Sequence, residues 1–178
     1  MSITTYNGSA VIGMKGRNCV AIATDMRFGV GYQTIATNFP KVEQYQRLLF
    51  RKNMYELREN RHIRPKTLLY MLSNLLYERR FGPYFVEPIV VGIDPVTNEP
   101  FVGGMDLIGC IMETDEFVVA GSCTEQLYGM CETLWEKDMG SRSLFPCHIF
   151  GDHMNTCCIL NATNRDCISG WGARVYLM

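Results

Sequence analysis

The sequence has no apolar run approaching the ~20 residues that a membrane-spanning helix needs, and no excess of either charge. Its 17 Lys and Arg stand against 18 Asp and Glu, a formal net charge of -1. The first absence excludes a helical membrane span, and the second argues against nucleic acid as a partner, which needs a basic field to neutralise phosphates. Internal repeats and low-complexity tracts are also missing, which removes solenoids and unstructured tails. Met1 is followed by polar residues (Ser2, Thr4, Thr5) rather than by a basic and then an apolar segment, so no secretory signal is expected. The eight cysteines show no regular framework and read as reduced thiols of an intracellular protein. What is present, 47% hydrophobic and 20% charged over 178 residues, is the composition of one soluble globular domain spanning 1–178. A chain of this length buries about two-thirds of its unfolded surface.

Ser9 to Met14 and Cys19 to Thr24 are apolar runs rich in Val, Ile and Ala, and Lys15 to Asn18 between them has the composition of a hairpin turn. Thr34 to Thr37 reads as a third strand. From Glu43 to Asn60 the segment is charged and free of glycine, with Tyr45, Leu48, Leu49 and Phe50 on one stripe that Met54 and Leu57 extend, which predicts a helix. A second helix follows Pro65, with Leu68, Leu69, Met71, Leu72, Leu75 and Leu76 at helical spacing and Arg79, Arg80 and Gly82 as a basic last turn and stop. A strand meander is expected over Pro88 to Ile93, Phe101 to Met105, Leu107 to Glu113 and Phe117 to Gly121. Ser122 or Thr124 is placed to cap a third helix ending near Gly140. Pro146 and Gly151 break any period over Ser143 to Asn164, which receives no assignment, and Ala173 to Met178 is a closing apolar run. This order suggests an α+β fold in which two antiparallel sheets carry helices on their outer faces.

Two constellations invite chemistry. Gly8-Ser9 stands at the head of the first strand, where a self-cleaving hydrolase would expose its nucleophile. Cys147, His148, His153, Cys157 and Cys158 fall within twelve positions; His148 and His153 stand at H-x4-H spacing, but no C-x-x-C pair accompanies them, so no metal is expected. Tyr84, Phe85, Trp135 and Trp171 suit either subunit contacts or ordinary core packing.

The blocks YNGSAVIGMKGRNCVAIATDMRFG, MYELRENRHIRP, LLYERRFGPYFVEP, DLIGC, FVVAGSCTEQLYGMCETLWE and NRDCISGWGA, in this order, resemble the β-type subunits of the 20S proteasome. The resemblance implies the four-layer αββα sandwich of N-terminal-nucleophile hydrolases. It places Ser9 at the nucleophile position, Asp25 at the supporting acid and Lys41 at the lysine. Ser122 stands at the serine that assists proton transfer, and Asp166 and Ser169 at the pair that orients the N-terminus.

Three departures from the active members follow. The chain passes from Lys41-Val42 straight into helical sequence, so a stretch of about 18 residues with a core strand and an oxyanion-stabilising glycine is absent; loss of such a donor alone costs about 100-fold to 1000-fold in rate. An eight-residue extension precedes Ser9, as in the family's non-catalytic members, and an amide nitrogen is no base. The segment from Pro146 to Thr163 and the end at Leu177-Met178 also differ from the family. The expectation is therefore a non-catalytic structural subunit with vestigial Ser9, Asp25, Lys41, Ser122, Asp166 and Ser169, in which Asp25 and Lys41 form a buried ion pair. Its implied partners are neighbouring β subunits and an α ring in a hetero-oligomeric, 28-subunit-type particle of cytoplasm and nucleus. A peptidase using Ser9 and an assembly-impaired variant are the alternatives.

Overall fold

Small and β-branched residues fill Ala10–Gly16 (β1) and Cys19–Asp25 (β2), and the link Arg17-Asn18 closes them into an antiparallel hairpin. Asn18 adopts φ 57°, the left-handed conformation that so short a loop requires. Gly16 pairs with Cys19, so the turn has two residues and Lys15 and Gly16 belong to the strand. The computed structural model describes residues 7–42, 46–144, 154–170 and 172–178.

The strand expected at Thr34 to Thr37 is the second arm of another hairpin, Phe28–Val30 (β3) with Gln33–Ala36 (β4). Its first arm is obscured in the sequence by Gly29 and Gly31, the latter at φ 56°. The helix expected from Glu43 is described from Gln46 to Glu59 (α1); Phe50, Met54 and Leu57 of its stripe are exposed. Pro65 opens the second helix, Pro65–Glu78 (α2), because its fixed φ suits a first turn and its missing N–H is not needed there. Arg79 is the C-cap, so the two arginines follow the last turn rather than lie within it.

Ile89–Ile93 (β5), Pro100–Met105 (β6) and Ile111–Thr114 (β7) form an antiparallel meander in that order. The third strand starts four residues later than expected because Asp106 Oδ1 accepts from the backbone N–H of Ile108 and Cys110 and holds 106–110 as a turn. Phe117–Gly121 (β8) leaves the meander and pairs with β1, giving a second sheet ordered β8-β1-β2-β9, with Ala173–Leu177 as β9. The physical reason lies in its composition: Phe117, Val118, Val119 and Ala120 are all buried, and a strand apolar on both faces needs a layer covered from both sides.

The third helix, Thr124–Leu134 (α3), stops well short of Gly140. Trp135 turns to extended backbone, its ring tilts against Phe117 at 6.4 Å, and its indole N–H donates to Lys15 O at 3.4 Å. That anchoring ends the helix. Neither Ser122 nor Thr124 caps it: Cys123 is the N-cap, and the Thr124 hydroxyl donates to Gly121 O instead. The unassigned stretch, Ser143 to Asn164, takes in the last two residues of Ser141–Leu144 (α4) and all of Met154–Arg165 (α5) except Arg165. Among the described residues no helix is long and apolar enough to cross a membrane.

One face of the β1-containing sheet, with Ala10, Ile12, Met14, Ala21 and Ala23, packs on Leu127 and Cys131 of α3 and on Cys158, Ile159 and Ala162 of α5. Between the sheets lie Val20, Val102 and Val118, with Ile89, Val91 and Ile93 against them. On the far side of the meander, Leu69 and Leu76 of α2 meet Val90 and Met105. The sheets approach closely at Gly104, where a Cβ would come 2.5 Å from Val118 Cγ1.

Candidate functional site

The first sheet's strand ends converge where β1 begins. Gly8, at φ 60°, lies so close under the Ile168 carbonyl that a Cβ there would sit 2.0 Å from its oxygen, which only glycine tolerates. Ser9 follows, half-buried, and its backbone makes the contacts. Its N–H donates to Ser122 Oγ (3.1 Å), and its carbonyl accepts from Ser122 N–H (2.9 Å). Among the described residues the Ser9 hydroxyl has no hydrogen-bond partner.

Asp25 ends β2 with its side chain wholly buried, and three donors surround it. Oδ1 accepts from Ala10 N–H (2.9 Å) and from Lys41 Nζ (2.5 Å), while Oδ2 accepts from Gly170 N–H (3.2 Å). Lys41 also reaches Gly8 O at 3.5 Å. Burial pushes the Lys41 ammonium below the usual lysine value; the attraction of Asp25 opposes this and the nearby Arg27 adds to it. The expected buried pair of Asp25 and Lys41 is thus present.

Ser122 links the serine to the acid on the far side. Its hydroxyl donates to Asp166 Oδ2 at 2.6 Å while accepting from Ser9 N–H, and Asp166 Oδ1 accepts from Ile168 N–H at 3.2 Å. Asp166 follows the last residue of α5, so the helix end delivers it. Ser169 stands apart from this chain of bonds: its hydroxyl faces Cys123 Sγ at 3.9 Å, and among the described residues it makes no hydrogen bond to the other five. Cys123 is buried, which raises its thiol to about 11 and keeps it protonated at neutral pH.

Two contributors were not read from the sequence. Arg27 is buried, and its guanidinium donates to the carbonyls of Ile168, Gly31 (2.8 Å) and Gln33 (3.3 Å) and to Thr34 Oγ1 (3.0 Å). It ties the β3–β4 hairpin to the 166–170 segment that frames the site. Cys123 is the second, its Sγ lying 3.7 Å from Ser9 O. A guanidinium that serves carbonyls leaves no pattern in a sequence, because its partners are backbone atoms.

The arrangement fixes backbone geometry around Ser9 more than it activates a hydroxyl. A nucleophile needs a base within hydrogen-bond reach, and here Lys41 Nζ is bonded to Asp25 Oδ1 and Gly8 O. Ser9 N is acylated by Gly8 and acts as a donor. No glycine occurs between Lys41 and Gly82, and α1 is already formed at Gln46. Among the described residues no cluster of His, Cys, Asp and Glu is arranged to hold a metal; Cys147, His148 and His153 lie outside those residues, as do the side chain of Cys157 and Trp171. Tyr84 and Phe85 are partly exposed, whereas Trp135 packs on the first core.

The whole chain aligns with "Proteasome subunit beta type-3" of Drosophila melanogaster at 51% identity, covering 93% of that protein. The corresponding protein of Dictyostelium discoideum is 45% identical, and "Probable proteasome subunit beta type-3" of Schizosaccharomyces pombe 42%, with the same coverage. Each alignment runs over 197 positions against the 178 residues of this chain, so 19 positions of the relatives have no residue here. That shortfall is the size of the stretch expected to be absent after Val42. The family model "Proteasome subunit" matches residues 43–178, beginning directly after that junction. With three-quarters of its length matched by this model and full-length relatives above 40% identity, the chain belongs to the proteasome subunit family.

Proposed function

We propose that this chain is a non-catalytic β-type subunit, a structural wall element of a 20S-type core particle in which neighbouring subunits hydrolyse peptide bonds. The observation that carries this reading is the passage from Lys41 to α1. In sequence no glycine occurs from Val42 to Phe81, and the chain is helical where it is described again, from Gln46, whereas the resemblance implies a glycine-bearing segment here that would bring an oxyanion donor to Ser9. Backbone contacts of Ser9, the closed Asp25–Lys41 pair and the Ser122–Asp166 bond then hold the strand entrance as a rigid scaffold. In this reading Ser9, Asp25, Lys41, Ser122, Asp166 and Ser169 keep their positions without their chemistry, and no cofactor is required.

The packing of α2, the meander, the β1-containing sheet and α3 with α5 is consistent with the four-layer αββα sandwich of N-terminal-nucleophile hydrolases. Neighbouring β subunits and an α ring are the partners, in cytoplasm and nucleus. A second reading, an assembly-impaired variant, draws on one observation: among the described residues the meander sheet has three strands where the sheet it faces has four.

Expression of the tagged chain in cells, followed by native electrophoresis and intact-mass measurement, tests the proposal. Co-migration with a 20S-sized particle and a mass that includes the residues before Ser9 are expected. A chain cut between Gly8 and Ser9 with peptidase activity would replace the reading by the Ser9 enzyme, and a chain never found in particles would replace it by the impaired variant.

A further inference from the structure

The meander sheet ends at β5, and that edge is open. Among the described residues Ile89–Ile93 makes backbone hydrogen bonds to β6 alone. Unpaired N–H and C=O groups therefore face outward along the other side of the strand. The remaining outer strands of the two main sheets each carry a feature that blunts them. β7 bears Glu113, 2.8 Å from Lys66 Nζ, and β9 bears Arg174, bonded to Asn38 at 3.1 Å. β8 is tied at both ends, since the Thr114 hydroxyl donates to Phe117 O and Gly121 N–H donates to Glu87.

β5 reads Ile-Val-Val-Gly-Ile, without charge, proline or bulge. Its side chains carry the same signature of a missing neighbour. Ile89, Val91 and Ile93 turn toward the other sheet, where Ile89 Cγ2 and Val91 Cγ1 border Gly13, yet all three are only half-buried.

We infer that β5 pairs antiparallel with β5 of a second copy of this chain across a two-fold axis at Val91, joining two three-stranded sheets into one of six strands. An isologous contact of this kind needs a strand that matches its own reverse. With the axis at Val91, Ile89 stands opposite Ile93 and Val90 opposite Gly92. The flanking carboxylates then meet prolines: Glu87 faces Pro95 and Asp94 faces Pro88, so no like charges oppose. Moving the axis to Val90 sets Glu87 against Ile93, and moving it to Gly92 sets Asp94 against Val90. Either shift places a charge against apolar surface, which selects the Val91 register.

Light scattering on the purified full chain at micromolar concentration is expected to give twice the 20.3 kDa of the monomer. Val91→Cys, at the axis, is expected to form a disulfide dimer under mild oxidation in excess of the wild-type background. Ile89→Cys and Ile93→Cys are expected to cross-link when mixed but not separately. Hydrogen exchange on the wild type needs no substitution: amides of Ile89–Ile93 should exchange at least several-fold more slowly as concentration rises through the dimer transition. A monomer at all concentrations overturns the inference. So does a dimer whose β5 amides exchange at an unchanged rate, a dimer cross-linked in another register, or a β5 protected only when other proteins are bound.

Discussion

Lys41 Nζ lies 2.5 Å from Asp25 Oδ1, and the aspartate is completely shielded from solvent while also accepting from the N–H groups of Ala10 and Gly170. The carboxylate thus joins the start of β1, the end of β2, the segment after α5 and the residue preceding α1's approach. Removing it leaves a buried ammonium and two backbone donors without an acceptor. Breaking a buried pair from one side costs about 3–5 kcal/mol. Asp25→Ala is expected to lose that much in urea denaturation at neutral pH. The double variant Asp25→Asn, Lys41→Met should recover part of the loss relative to Asp25→Asn alone, because it removes the unpaired charge as well. Equal stability of the single and double variants would deny the coupling.

The same lysine has a pH signature. Burial is the first cause of its depressed value, and the partner carboxylate only partly restores it. In the unfolded chain it titrates near 10.5, so between its folded value and 10.5 the unfolded state binds more protons than the folded one. The stability contribution of this group is therefore fully present above 10.5 and is lost as pH falls through the folded value. A ¹³C-lysine titration is expected to show the Lys41 ε-carbon moving below 10.5. A midpoint at or above that value would contradict the balance described here.

Ser9 and Ser122 should separate in a way that distinguishes scaffold from catalyst. Contacts at Ser9 run through its amide and carbonyl, so Ser9→Ala is expected to change stability by less than about 0.5 kcal/mol. It should leave the peptidase activity of any assembled particle unchanged. Ser122→Ala removes the acceptor for Ser9 N–H and the donor to Asp166 Oδ2 together, at about 1–3 kcal/mol. Chemical denaturation of the two variants, with activity measured on the particle, checks both. A Ser9→Ala variant that abolishes an activity would restore the nucleophile reading.

How far the sequence could carry this structure depended on where each signal was stored. β1, β2, β5, β6 and β8 are legible as apolar runs bounded by turn residues, and α2 by Pro65 and its leucine spacing. α5 was not legible because Met-Asn-Thr-Cys-Cys-Ile-Leu-Asn-Ala-Thr has little helical preference of its own; Cys158, Ile159 and Ala162 gain their helix by burial on the β1-containing sheet. β8 misled because pairing partner is a tertiary property, and only its two-sided burial distinguishes it from a meander strand. At the site, five of the six residues form two bonded groups, Ser9–Ser122–Asp166 and Asp25–Lys41, which meet where the second holds the backbone of Gly8 and Ala10 on either side of Ser9. Ser169 instead turns to Cys123. Their identification rested on family resemblance, since no spacing among positions 9, 25, 41, 122, 166 and 169 announces proximity.

Arg27 supplies the sharpest test of that scaffold because, among the described residues, its guanidinium joins the β3–β4 hairpin to the Ile168 carbonyl. Its guanidinium reaches Ile168 O, Gly31 O, Gln33 O and Thr34 Oγ1 from a buried position. A planar fork satisfies four acceptors spread over two loops; an ammonium has three donors and a different geometry. Arg27→Lys is therefore expected to destabilise by about 1.5–3 kcal/mol, the range for hydrogen bonds to a charged group. Arg27→Met should cost more, since it strands the same carbonyls without any donor. The loss should also be local. Hydrogen exchange is expected to accelerate first in β3, β4 and residues 166–170, while β1 and β8 stay protected, because the hairpin and the 166–170 segment are what the guanidinium joins. Uniform acceleration across both sheets would show Arg27 to be a general core residue instead of the tie between the hairpin and the site.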